Sequence, residues 1–327
     1  MRGEESKAAQ TIFATLLIAG AAAAQDYPSR PIRLVAPNPA GGATDAIARI
    51  VAGKLAETLG AQIVIDNRGG AGGTLAGDIA AHAAPDGYTL LAGSVSTHSF
   101  APIIYRKLPY DPIKDFMPIS LFAIVQNLLV ITPSVPAANV KELVALAKAK
   151  PGTLNYSSAG SGTTSHFAVA MFVSVTGLTK YAVHIPYKGG APALTATAAG
   201  ESHINFGPMP GSMVALVKAG KLKALAVGGT ARSPTFPEVP TMAEAGYPAY
   251  QSSGWFGLLA PAGTSRAIIV KLNQAVVTTV NAADTKQHLL NVGGEPASNT
   301  PGAFAKFISD QLALHRKIVQ EEGIKFE

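Results

Sequence analysis

Ile32-Arg33-Leu34-Val35-Ala36-Pro37-Asn38-Pro39-Ala40-Gly41-Gly42-Ala43-Thr44-Asp45 joins a short apolar run to a glycine turn, and a helical pattern comes next. Residues 45–59 set Ile47, Ile50, Val51 and Leu55 on one helical face, with Gly60 as the stop. The same sequence of events returns at Ser158-Ala159-Gly160-Ser161-Gly162-Thr163, between a strand at 154–158 and a second apolar helical stretch. Glycines let the backbone turn sharply beside a ligand. The helix behind each turn aims unpaired N–H groups and a partial positive charge at the same spot. Two such turns predict two anion-grasping ends, one in each of two domains.

Around these turns, strands alternate with helices from residue 31 to about 227, which predicts an α/β architecture with largely parallel sheets. The first group of strands is read at 32–37, 63–67, 88–92 and 119–123. A second cycle lies at 128–132, 154–158, 183–187, 204–206 and 222–227, with a helix at 140–149 that Asn139 caps. Thr241 and Glu244 form a capping box that predicts another helix, stopped by Gly246. After a strand at 253–259 come two helices: 265–281, with Ile268, Ile269, Leu272 and Val276 on one face, and 301–322, with Phe304, Phe307, Ile308, Leu312 and Val319. Those faces need a sheet, and the first four strands offer an incomplete one. The first domain is therefore expected to be discontinuous, 25–125 with 246–327, around a second domain at 126–245. Crossovers near 123–128 and 246–253 would form a hinge.

At 327 residues the chain exceeds the roughly 250–300 that one core organises, in keeping with two domains. Hydrophobic residues make up 48% and charged residues 14%, which fits a packed protein rather than a disordered one. Arg2 and Lys7 precede an apolar run at 12–24 that ends on small residues, the pattern of a secretory leader cleaved near Ala24. The run is shorter than the ~20 residues that span a bilayer. Absence of cysteine removes disulfides and thiolate chemistry. The net charge of +6 favours approach of small anions, while scattered Lys and Arg without a DNA-reading motif argue against nucleic acid.

The candidate ligand contacts are Asn38, Ala40, Gly41, Gly42 and Thr44 at the first turn and Ser158, Ala159, Gly160, Ser161, Gly162 and Thr163 at the second. Ser94 and Thr97 come after the third strand, and Tyr187, Lys188 and Gly189 precede another helix start. Asp45 reads as a complement to the helix dipole, and His166 as a structural histidine. Enzyme motifs do not assemble. Ser161 lacks the flanking glycines of a nucleophile elbow, having Ala159 and Thr163 instead. Leu75 stands where a dinucleotide fingerprint needs its third glycine, and the seven histidines show no metal spacing. No cofactor, metal or catalytic residue is expected.

An ordered set of signatures resembles a known family: Tyr27-Pro28-Ser29-Arg30-Pro31-Ile32-Arg33; Gly41-Gly42-Ala43-Thr44-Asp45 with Arg49; and Asn67-Arg68 before Gly70-Ala71-Gly72-Gly73. It continues through Pro85-Asp86-Gly87-Tyr88-Thr89-Leu90-Leu91, residues 156–163, Pro186-Tyr187-Lys188-Gly189, residues 239–246 and residues 257–264. The chain is similar over nearly its whole mature length to the periplasmic solute-binding receptors of tripartite tricarboxylate transporters, the Bug receptors. The resemblance implies a two-lobed type II periplasmic binding protein fold, with two mixed sheets flanked by helices and a two-crossover hinge. It also implies a monomer in the periplasm that takes a di-, tri- or aromatic carboxylate between its lobes and hands it to integral membrane subunits. Asn38 departs from the aromatic residue usual there, Gly69 from a proline and His203 from an acidic position; the first and last bear on which acid is bound. Two other classes stand beside this reading: a sensor presenting the same ligand to a sensor-kinase ectodomain, and a hydrolase using Ser161 with His166.

Overall fold

The computed structural model describes residues 27–41, 43–160 and 163–321. Residues 1–26, where the leader is expected, Gly42, Ser161, Gly162 and residues 322–327 lie outside the described residues, as do the side chains of Ala43, Thr44, Ala71 and Glu321. The glycine-turn units fold as their patterns require. Strand β1 (Ile32–Ala36) leads to helix α1 (Ala43–Leu59), which buries Ile47, Val51 and Leu55. Then come β2 (Ile63–Asn67), α2 (Thr74–Ala81) and β3 (Thr89–Ser94). A wide π-type turn at Ser96–Phe100 runs into the short α3 (Ala101–Ile104).

The strands expected at 119–123 and 128–132 are one 16-residue strand, β4 (Phe116–Ile131). Polar Gln126 and Asn127 read as a break in sequence, but both are buried. Asn127 Nδ2 donates to the Ser252 carbonyl (3.2 Å) and Oγ (2.8 Å), so its NH2 group is paired where the strand passes through. Beyond it lie α4 (Val140–Ala149), β5 (Leu154–Ser158), α5 (Thr164–Val175), β6 (Ala182–Pro186), α6 (Gly190–Ala199), β7 (Ile204–Pro208), α7 (Gly211–Lys218) and β8 (Lys223–Val227). Asn139 caps α4 by accepting from Glu142 N–H at 2.9 Å, as expected.

The capping box at 241–246 forms, with Thr241 N–H on Glu244 (2.8 Å) and Glu244 N–H on Thr241 Oγ1 (3.1 Å), yet it opens no helix. Gly246, at φ 101, ends the segment after one turn, too short for the box to propagate. The chain continues through β9 (Ser253–Pro261), α8 (Arg266–Asn281), α9 (Ala283–Asn291), β10 (Glu295–Pro296) and α10 (Pro301–Glu321).

The strands run in the order β2-β1-β3-β9-β4-β7-β5-β6, with β8 and β10 also paired to β4. This path comprises two mixed sheets that share β4. In the first, β1 is parallel to β2 and β3, and β9 runs antiparallel between β3 and β4. In the second, β5 is parallel to β6 and β7, while β7 and β8 are antiparallel to β4. The changeover is sharp: Gln126 pairs with Ser253 in the first sheet and Asn127 with Pro208 in the second. The return crossing lies at the adjoining point, where Ser252 N–H still bonds Gly228 O (2.9 Å) and Ser253 already joins β9.

The last helices cover the first sheet. Trp255 on β9 is fully buried against Phe304 (ring centroids 5.5 Å apart) and Phe307 (5.8 Å) of α10, and α8 buries Ile269, Leu272 and Val276. The apolar faces of these helices thus find their partner in the layer begun by the first strands.

Candidate functional site

The first turn is held by a carboxylate that reaches back to it. Asp45, only 2% exposed, accepts from Gly41 N–H (2.9 Å), Arg49 Nε (2.8 Å) and Asn67 Nδ2 (2.8 Å). Burial alone would raise this carboxyl, but the bonds from Arg49, Gly41 and Asn67 outweigh it and hold it below the usual carboxylate range. Asn67 Nδ2 also donates to Asn38 O (3.0 Å), which ties the loop to the end of β2. The Gly41 amide is therefore committed to the loop itself, and Ala40 beside it is exposed.

The second turn is braced by its own hydroxyls. Ala159 N–H donates to Ser165 Oγ (2.8 Å), Gly160 N–H to Ser158 Oγ (3.2 Å), and Thr163 Oγ1 to Gly160 O (2.7 Å). Thr163 also caps α5, accepting from His166 N–H at 3.3 Å. Gly160 has φ 114, and a Cβ there would stand 3.1 Å from Tyr187 O, so a side chain is disfavoured on both counts. Tyr187 N–H bonds Ser158 O (2.9 Å) and Gly189 N–H bonds Ala159 O (3.1 Å), so the segment 187–189 buttresses the turn through its backbone. Lys188 is exposed. Behind the turn, Ser158 Oγ lies 2.7 Å from His184 Nε2, and the His184 ring stacks on His166 (4.6 Å, 2°) and Tyr156 (5.1 Å, 17°). Burial, then repulsion from His184, lowers His166 to about 4.

Between the two sheets is a cavity of about 40 Å³. From the first sheet's side it is lined by Asn38, Ile47, Ser94, Val95, Ser96, Val125, Gly254, Phe256 and Val292, and from the second by Thr164, Pro208 and Pro210. Asn38 and Ile47 flank the first glycine turn, and Thr164 comes directly after the second. Across the gap Ser96 Oγ and Thr164 Oγ1 lie 3.0 Å apart. Ser94 is on the cavity wall. Thr97 is fully buried, its Oγ1 bonded to Ser94 N–H and Ser94 O (3.0 Å each), and shapes the turn that presents Ser94 and Ser96. Sequence reasoning missed Phe256, Val125, Pro208 and Pro210, because apolar residues from distant segments share no local pattern. His184 left one clue, a polar residue between Val183 and Ile185 of an otherwise apolar strand.

The chain matches the profile described as "Tripartite tricarboxylate transporter family receptor" over residues 47–324. It is 35% identical over 317 residues to Protein BugT of Bordetella pertussis, covering 96% of each chain. Among solved structures, R. palustris Rpa4515 with adipate is 35% identical with a TM-score of 0.83, covering 91% of this chain and 99% of that one. MatC (Rpa3494) from Rhodopseudomonas palustris with bound malate is 33% identical with a TM-score of 0.80, covering 90% and 100%. Likeness in both sequence and fold, carried over nearly the full length, makes this chain a member of the tripartite tricarboxylate transporter receptor family, the periplasmic solute-binding proteins of the Bug type.

Proposed function

We propose that the protein captures a small carboxylate between its two sheets and delivers it, as a periplasmic monomer, to the membrane subunits of a tripartite transporter. The observation that carries this reading is the cavity lined by neighbours of both glycine turns, with walls from both sheets. Two relatives of the same fold were solved with adipate and with malate, which supports a dicarboxylate as the ligand class. Its carboxylates would meet Asn38, Gly42, Thr44 and Ser94 at one end and the 158–163 turn at the other. Lys188 supplies positive charge near that second end.

Magnitudes favour a clasp by both sides. Micromolar affinity needs about 8 kcal/mol. A hydrogen bond to a charged group contributes roughly 1.5–3 kcal/mol, so one turn with two bonds falls short, while four bonds from both turns give roughly 6–12 kcal/mol before ordering costs. A cavity of about 40 Å³ holds only a few water molecules. Admission of a dicarboxylate thus calls for the sheets to part, and the adjoining crossings at Gln126/Asn127 and Ser252/Ser253 are where we assign the hinge, which puts residues up to 126 and from 253 in one domain and 127–252 in the other. No step calls for a catalytic group, and the ligand leaves unchanged.

Calorimetry against a panel of di-, tri- and aromatic carboxylates tests this. At least one acid is expected to bind at micromolar concentration and to raise the melting temperature by mass action. A panel without a binder near neutral pH, or turnover of a bound acid, would overturn it.

A further inference from the structure

Resting on the carboxylate reading, we propose that His184 is a positioning residue that makes ligand capture proton-linked: it takes up a proton as the ligand's carboxylate docks on the second glycine turn, and acts on that turn through Ser158.

The geometry is a chain of two bonds. Gly160 N–H donates to Ser158 Oγ (3.2 Å), and that same oxygen is 2.7 Å from His184 Nε2. When Nε2 carries no proton, the serine O–H donates to the ring. Its oxygen then becomes a better acceptor and grips the Gly160 amide, because linked hydrogen bonds polarise one another. A protonated ring reverses the direction. Nε2–H donates into Oγ, the oxygen becomes a poorer acceptor, and the Gly160 N–H is released toward an anion. The same proton places a positive charge directly behind the turn. Both effects favour a carboxylate, so the carboxylate must in return favour the proton.

The groups facing His184 are consistent with uptake of one proton. From β5 comes the Tyr156 phenol, stacked on one side, and from α5 the His166 imidazole, stacked face to face. Lys188 lies beyond the end of β6 and is exposed. Two imidazoles in parallel contact repel when both are charged, so the pair takes up a single charge. Half-buried His184 is the better seat for it than buried His166.

The test is calorimetry of the full chain with adipate and with malate at pH 5.5, 6.5, 7.5 and 8.5, in buffers of different ionisation enthalpy to count protons. The wild type is expected to bind tighter as the pH falls, by at most about tenfold for one unit of pKa shift, with uptake peaking at about half a proton. His184→Gln and His184→Phe, the second preserving the ring stack, are expected to bind with less than about a twofold change across the range and no uptake. Variants that keep the wild-type slope, or a wild type that binds either acid without proton uptake, would overturn the proposal while leaving the receptor reading intact. Failure of the wild type to bind any acid of the wider carboxylate panel at every pH would overturn both.

Discussion

Asp45 shows at the level of one residue how much a sequence position conceals. In sequence it is an acid at a helix start; in the structure it is the knot that joins Gly41, Arg49 and Asn67. Asp45→Ala leaves the Gly41 N–H and one hydrogen of the half-buried Asn67 amide without their acceptor, which is expected to cost about 1–3 kcal/mol in urea unfolding and to weaken carboxylate binding by loosening the first turn. Thr164 makes the opposite kind of contribution. Its hydroxyl meets Ser96 across the gap between the sheets, so Thr164→Val is expected to leave the fold intact and to speed release of a bound carboxylate in stopped-flow measurements. A neutral hydrogen bond contributes about 0.5–1.5 kcal/mol, which sets the effect at roughly two- to tenfold.

Among the elements, β9 and α10 close the first sheet through one steric fit. Gly257 lies under the Phe304 ring, and a Cβ there would collide with it and with the Ser120 carbonyl. Gly257→Ala is expected to lower the melting temperature by pushing α10 off the sheet. Phe304→Ala, which empties the same contact beside Trp255, is expected to cost about 3–5 kcal/mol by chemical denaturation. The periodicities of α1, α8 and α10 made those helices legible, because each buries a single apolar stripe. Helices α2, α7 and α9 were not, being short and dominated by contacts from elsewhere. The capping box at Thr241 and Glu244 misled for a related reason: a cap offers a start, and propagation depends on the residues beyond it, which here include Gly246.

Across the molecule as a whole, neutral histidines are built into the interior. His98 is lowered to about 3 by burial, and His315, against Phe100 and Phe167, to about 4 for the same reason; His166 joins them at about 4. The unfolded chain binds protons at these rings below about 6.5, whereas the folded chain refuses them until about 4 or lower. Stability is therefore full above pH 6.5 and falls as pH drops toward 4, a window above that of the lowered carboxyls Asp45, Asp66 and Asp111. Thermal melts at pH 7.5, 5.5 and 4.5 check this, and His315→Phe is expected to flatten the profile. Residue order alone dictated the α/β alternation, the two glycine turns and the set of signatures that resembles the receptor family, because strands, turns and caps are written in neighbouring residues. Three-dimensional packing was needed to establish that 119–123 and 128–132 are one strand shared by two sheets, that Ser96 meets Thr164, and that His184 stands behind Ser158. Those outcomes depend on burial and on partners far away in the chain, and no local pattern of residue types records which distant group will satisfy a polar atom.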